Sequence, residues 1–564
     1  MAVDAKSVPL EDQEEQERQV QRHDAPAHNP SAPPDELFDI STTVDPSYVI
    51  SLIRKLLPAN ASNNHNSHGD VFDAHVRGLD TDHTDKTAPT LSGDRLLHVS
   101  NDGPESMEIA DDFHKSAPDE GENNGSYDGA EQCDHGVPLA EEAWEEYGCI
   151  LWDLAASKTH AELMVQNLIL EVLLANLMVS QSVRATEITL GIIGNLACHE
   201  VPMKHIVSTI GLIGTVVDQL FSEDAQCLCE ACRLLTVGLQ SSERSSWAKE
   251  LQSEHNLSRI LWIAENSLNA QLIEKSVELL LATIESSEEV VLILLPPLMK
   301  LGLASLLINL LDFEMRQLLS ERVPERYPVL DVILRSIEAL SVIDGHSQEI
   351  CSNKDLFRLV CDLVKLPDKV EVANSCVTAG VLIANILSDE PNLASEISQD
   401  LPFLQGLLDI FPFSSEDLEA RSALWNIIAR LLVRVQENEM SRSALQQYVS
   451  VLVSKSDVIE DDLLDSQLDE LNSKARTTSL RRIISLLNQW TASKDDDKEN
   501  EMMGNRHADD INIDRLLDCC CKHSELTSPF MPPPCEENLG GERWRSFKAV
   551  CTPYYLLKNE AEPN

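Results

Sequence analysis

Along the middle of this 564-residue chain one kind of helix keeps returning. Glu187–Cys198, Glu230–Gly238, Val277–Ile284, Ile337–Val342, Thr378–Ile386 and Ala423–Leu431 are all dominated by apolar residues. Aligned, they stack Leu196, Val237, Ile284, Val342, Ile386 and Leu431 at intervals of 41, 47, 58, 44 and 45 residues. Helices this apolar must be covered. Recurrence at a near-constant spacing means that each unit covers its neighbour instead of folding around one centre. Units of roughly 40 to 47 residues are those of armadillo and HEAT arrays. The expected fold is all-α, a right-handed α-solenoid of armadillo/HEAT-like repeats.

The helix ahead of several of these has its own outline. Gly211–Leu220, Gly302–Leu311, Asp355–Val364 and Asp400–Leu408 each open on a helix breaker or cap and continue with apolar residues at three-and-four spacing. A seventh, weaker unit at Leu480–Trp490 would close the array, with Arg481, Arg482, Asn488 and Gln489 on the polar face that a terminal cap requires. The 58-residue interval predicts an inserted loop near Glu321–Tyr327. Val290–Leu311 comes nearest to a membrane span, but Pro296, Pro297 and Lys300 interrupt it. A span needs roughly 20 unbroken apolar residues, so two soluble helices are expected there.

Both ends differ from this body, taken as residues 139–492. The first 140 residues hold 28 acids against 9 bases and few large apolar side chains, so residues 1–138 are expected to be mostly disordered and acidic. One short helix interrupts them near 45–57. Asp45 and Pro46 cap and start it, Pro58 stops it, and Tyr48, Val49, Ile50, Leu52, Ile53, Leu56 and Leu57 would dock it on the folded part or on a partner. Residues 493–564, with Pro532–Pro534 and Gly540–Gly541, read as a mostly disordered Cys- and Pro-containing tail broken by a short helix around Ile511–Cys521.

Charge and composition exclude several classes of function. Aromatics are 4% of residues and a net charge of −50 repels phosphate backbones and anionic lipid, so neither direct nucleic-acid binding nor membrane binding is expected. A basic protein or peptide partner is permitted. Glu11–Arg18 stands where a secretory signal would need an apolar core, and the 14 cysteines are scattered as buried thiols of a reducing compartment would be. The expected location is intracellular.

Immediately before each aligned apolar residue sits a polar one: Asn195, Thr236, Thr283, Ser341, Asn385 and Arg430. In an armadillo-like array the third helices lie side by side along the concave face, so one polar position per repeat becomes a ladder along a groove. That ladder either hydrogen-bonds the backbone of an extended partner or is the solvent-facing stripe that any half-buried helix carries. Nuclear-import adaptors set a Trp one turn ahead of the ladder to sandwich lysine stems. Here those positions hold Gly191, Cys232, Leu279, Ile337, Val381 and Asn426, so import-signal binding of that kind is not expected.

Trp152-Asp153, the run Glu187–Cys198, Glu230-Ala-Cys-Arg-Leu-Leu235 and Trp247 resemble the serum-amyloid-A-like protein family, whose members carry armadillo-type repeats. The segment Val44–Leu57 resembles that family's short N-terminal element. The match is specific over about Ala143–Leu281, weaker to Trp490 and absent from both tails. It implies a non-enzymatic protein, placed in the nucleus ahead of the cytoplasm and associated with cell proliferation. It supplies no binding residues.

No catalytic residue, metal site or cofactor is expected. Phosphate-binding, dinucleotide, nucleophile-elbow and metalloprotease patterns are missing. Cys227, Cys229 and Cys232 lie on one apolar helix with no second ligand pair and read as structural thiols. Cys519–Cys521 with His523 and Cys535 is the better metal candidate, although three adjacent cysteines cannot all face one ion. His65, His68 and His75, with Asp70 and Asp73, read as a solvated polar tract. The function expected is a protein-interaction scaffold or adaptor working through the concave groove. The alternatives are an adaptor whose tails carry the binding motifs, or a divergent karyopherin-like transport factor. The partner, the process and the oligomeric state stay open.

Overall fold

The computed structural model describes residues 44–58, 136–437, 440–465, 474–498, 508–525 and 543–544. Among these residues the regular structure is helical throughout. Helix α1 (Pro46–Lys55) and helix α2 (Gly136–Ala155) open the array. Seven three-helix units can be drawn after them. The first three are α3 (Lys158–Gln166), α4 (Ile169–Val179) and α5 (Val183–Ala197); α6 (Glu200–Ser208), α7 (Leu212–Asp218) and α8 (Ala225–Gln240); and α9 (Arg244–Leu251), α10 (Glu254–Asn266) and α11 (Ala270–Ile284). Next come α12 (Glu288–Lys300), α13 (Leu303–Ser320) and α14 (Tyr327–Ser341), followed by α15 (Ser347–Cys351), α16 (Lys354–Val364) and α17 (Ala373–Asp389). The last two are α18 (Leu393–Ile397), α19 (Leu401–Leu408) and α20 (Leu418–Glu437), and α21 (Arg442–Ser454), α22 (Ser456–Asp465) and α23 (Lys474–Lys498). Helix α24 (Ala508–Glu525) packs on α22 and α23.

The third helices form one continuous row, α2 against α5, then α8, α11, α14, α17, α20 and α23. This is the α-solenoid of armadillo-like repeats that the periodicity predicts. Several of their N-termini, though not those of α14 and α17, are capped by short polar side chains. Asp224 accepts from the backbone N–H groups of Gln226 and Cys227 at 2.9 Å, and Asn269 accepts from that of Leu272 at 3.1 Å. Because this row is covered on nearly every side, its middle is apolar all round. In α17 every residue from Ser375 to Leu387 is buried. Residues 370–389 are long and apolar enough to cross a membrane, and 78% of that stretch is buried inside the array.

In three of the seven units the backbone between the first and second helices passes through a left-handed residue. Gly211 (φ 82°) and Gly302 (φ 97°) supply it. In the first unit Leu168 (φ 64°) takes the same place.

Three expectations change, and two short helices fall where they were expected. The 58-residue interval is filled mainly by helix: α13 runs 18 residues, and the short connection after it is pinned where Arg326 grips buried Glu314 through both carboxylate oxygens. Pro296 and Pro297 lie inside α12, and the break falls at Gly302, where α12 and α13 bend by 70°. Leu292, whose carbonyl loses its usual helical donor to Pro296, is 67% exposed, so water can serve that carbonyl. Helical structure also continues beyond residue 492. Helix α23 runs to Lys498, and the short helix expected around Ile511–Cys521 is α24, 18 residues long, to which Ile513, Leu516 and Cys520 give a buried face. Helix α1, expected to dock on the folded part or on a partner, packs on the array: Trp144 Nε1 and Asn176 Nδ2 donate to the Leu56 carbonyl at 3.3 and 3.0 Å, and Lys55 Nζ sits 4.0 Å from the Tyr147 ring centre. The histidine-rich tract at 65–75 and Cys535 lie outside the described residues.

Candidate functional site

The six ladder positions all lie on the inner row, on α5, α8, α11, α14, α17 and α20 or at their ends, but they do different things. Thr236, Thr283 and Ser341 are buried, and each hydroxyl donates to a carbonyl of its own helix: Cys232 at 2.9 Å, Leu279 at 3.0 Å and Glu338 at 2.6 Å. Self-bonding of this kind lets a small hydroxyl stay dry without a partner. Arg430, also buried, donates to Asn426 Oδ1 at 2.7 Å one turn back and reaches Ser388 Oγ on α17 at 3.5 Å. The solvent-facing stripe is therefore not what these positions make.

The two asparagines reach outside their helices. Asn195, half-buried, donates to the Trp152 carbonyl of α2 at 2.9 Å and accepts from Arg233 of α8 at 3.3 Å, so it bridges three neighbouring helices. The residues carrying the family resemblance build this same junction. A Cβ on Gly191 would stand 2.2 Å from the Trp152 indole, and one on Gly194 would stand 2.5 Å from the Arg233 guanidinium. Both glycines are what lets those large side chains cross the α5 backbone.

Asn385 is 1% exposed and holds a segment far away in sequence. Its Nδ2 donates to the Trp544 carbonyl at 2.9 Å while its Oδ1 accepts from the Trp544 N–H at 2.9 Å. The N–H and C=O of one residue point to the same side in extended chain, which is how strands exchange paired bonds. The amide of Asn385 thus acts as a one-residue strand edge. Its second Nδ2 proton goes to Ser341 Oγ at 3.0 Å, one unit back, which fixes the amide's orientation.

Beside it, Arg543 enters a cluster of acceptors at the ends of α14 and α17. Nη1 donates to the Val342 carbonyl at 3.4 Å and to Asp344 Oδ1 at 3.1 Å; Nη2 donates to Ser347 Oγ at 3.0 Å and lies 3.5 Å from Asp389 Oδ2. A helix C-terminus carries partial negative charge and adds to this attraction. Burial, and then the neighbouring Asp389 carboxylate, push the Cys351 thiol up to about 12, with Arg543 opposing. Trp544 itself is 7% exposed. Sequence reasoning passed over Arg543 and Trp544. The available signal was the run Arg543-Trp544-Arg545-Ser546-Phe547-Lys548, a cationic, aromatic island in a chain of net charge −50.

The cysteines of α8 are inert. Cys227, Cys229 and Cys232 are buried, and desolvation pushes each thiol up to about 12. On α24, Cys520 faces the core, and successive helical residues point about 100° apart, so Cys519, Cys520 and Cys521 do not converge.

Fold and contacts together define a class: an armadillo-like helical array that holds Arg543 and Trp544 against its inner row. No family model matches the chain. It is similar to Protein saal1 of Danio rerio, 25% identical over 382 residues that cover 62% of this chain and 76% of the zebrafish protein. It is also similar to Protein SAAL1 of Mus musculus, 26% identical over 258 residues, 43% of this chain and 52% of the mouse protein. Among solved structures it is similar to a designed armadillo repeat protein, with 14% identity and a TM-score of 0.35 over 45% of this chain and 96% of that one. An engineered protein matches with 15% identity and a TM-score of 0.36, covering 68% and 95% of the two chains.

Proposed function

We propose that this chain is a non-enzymatic protein-interaction scaffold of the serum-amyloid-A-like family, capturing an extended segment of a partner protein across the inner row of its array. The reading is carried by Asn385, whose amide binds both backbone groups of one extended residue. That contact recognises backbone, so it suits peptides. The family assignment is supported by the similarity to the fish and mouse proteins, together with the structural work done by Trp152 and Arg233. Residence in the nucleus and a link to cell proliferation belong to the same proposal and rest on the resemblance.

The test compares affinity capture from cells by the native chain, by Asn385→Ala and by Ile210→Asp. Ile210 is 95% exposed at the turn between α6 and α7 and makes a control away from Asn385. Partners that depend on Asn385 and survive the change at Ile210 support the groove. Capture indifferent to Asn385 overturns it.

A further inference from the structure

The groove around Asn385 is filled by the chain's own tail, and the manner of filling describes a ligand. Arg543 and Trp544 make side-chain and backbone contacts of different kinds, each matched by the array. The arginine fork meets Asp344, Ser347, Asp389 and the Val342 carbonyl. A lysine, a point charge without a fork, could not serve four acceptors spread over two helix ends. The next residue is held by its backbone on Asn385 and buries its indole. The order is therefore fixed as Arg then Trp.

Resting on the scaffold reading, we propose that the Asn385 site recognises an extended segment carrying Arg followed by Trp, that residues 543–544 occupy it in cis, and that a partner segment of the same chemistry must displace them. The basic run 543–548 on an acidic body adds long-range attraction. Seventeen residues, 526–542, join α24 to this segment. A tether of that length sets an effective concentration on the order of 1 mM. If the free segment binds with a dissociation constant of about 10 to 100 μM, the tail closes the site roughly 10- to 100-fold against a competitor.

The test uses a fluorescent peptide with the sequence of residues 538–549 and the full-length chain. Arg543→Ala with Trp544→Ala in the chain removes the cis ligand, and the peptide should then bind about 10- to 100-fold tighter than to the native chain. Binding should vanish when the same two changes are made in the peptide, or when Asn385→Ala is added to the chain. Arg543→Glu, which sets a carboxylate against Asp389 and keeps the indole, is a second route to the open site and should act alike. Equal binding to native and opened chains, or none to either, overturns the proposal. If the peptide fails while Asn385-dependent capture persists, the scaffold reading stands and the cis ligand falls. Peptide binding without any Asn385-dependent capture keeps the cis ligand and removes the scaffold reading.

Discussion

Asn385→Ala offers the sharpest perturbation of the groove, because the structure sets two energies against each other. Truncation strips both partners from the Trp544 backbone, at a residue only 7% exposed. Each buried polar group left unpaired costs about 1–3 kcal/mol, so keeping the segment in place would cost about 2–6 kcal/mol. A tether closed 10- to 100-fold is held by about 1.4–2.7 kcal/mol. The second figure is no larger than the first through most of that range, so the segment leaves and its polar groups return to water. The array loses little. Ser341 keeps its bond to the Glu338 carbonyl, and the truncation removes one Asn–Ser contact worth about 1 kcal/mol. Limited trypsin digestion reads the result, since cleavage after Arg543 follows the open population when opening is fast. Asn385→Ala should speed that cleavage at least tenfold with helical circular dichroism unchanged. Asn195→Ala, which breaks contacts to Trp152 and Arg233 instead, should leave it alone. Unchanged cleavage after Arg543 in a folded Asn385→Ala chain would refute the reasoning.

Gly191→Ala puts a methyl 2.2 Å from the Trp152 indole and should destabilise the α2–α5 junction by about 1–3 kcal/mol in a denaturant titration, with Trp152→Leu as partner change relieving it. Asp462 of α22 is buried between Arg421 Nε at 2.8 Å and Trp425 Nε1 at 2.9 Å on α20, and Asp462→Ala should cost about 1–3 kcal/mol, because Arg421 keeps the backbone carbonyls of Ser415 and residue 462 while the Trp425 N–H loses its acceptor. Burial raises the Asp462 carboxyl above its ordinary value despite Arg421. The folded state therefore holds that proton more tightly, and this contribution is complete below the unfolded value near 4 and lost as pH rises through the folded one. The stability gap between native and Asp462→Ala chains should narrow as pH rises from 4 towards 7, and a widening gap would reject the assignment. Leu52→Asp on α1, at a side chain 1% exposed, should release that helix alone: amide exchange would rise over 46–56 while α5 and α8 stay protected, whereas protection lost throughout would show α1 to be part of the core.

The array was legible because its physics is periodic. An apolar third helix cannot be hidden without its neighbour, so Leu196, Val237, Ile284, Val342, Ile386 and Leu431 had to recur, and their spacing carries the solenoid. Pro296 and Pro297 misled because proline reads as a break, whereas the turn was set by the left-handed backbone at Gly302. The ladder was legible as a position but not as chemistry. A Ser or Thr on a buried helix can return its hydroxyl to a carbonyl of its own helix, as Thr236, Thr283 and Ser341 do, and then asks nothing of a partner. An asparagine amide has two donors and an acceptor, and a helix whose backbone is already bonded to itself cannot match them all. Buried, such a residue must find backbone or charge elsewhere. Asn195 finds Trp152 and Arg233; Asn385 finds Ser341 and then a residue 159 positions away. Pattern alone makes these two asparagines equivalent, and only the fold separates the one that ties neighbouring helices together from the one that holds Trp544. An array of this kind can therefore bind at the ladder positions whose hydrogen-bonding needs exceed what their own helix and its neighbours supply.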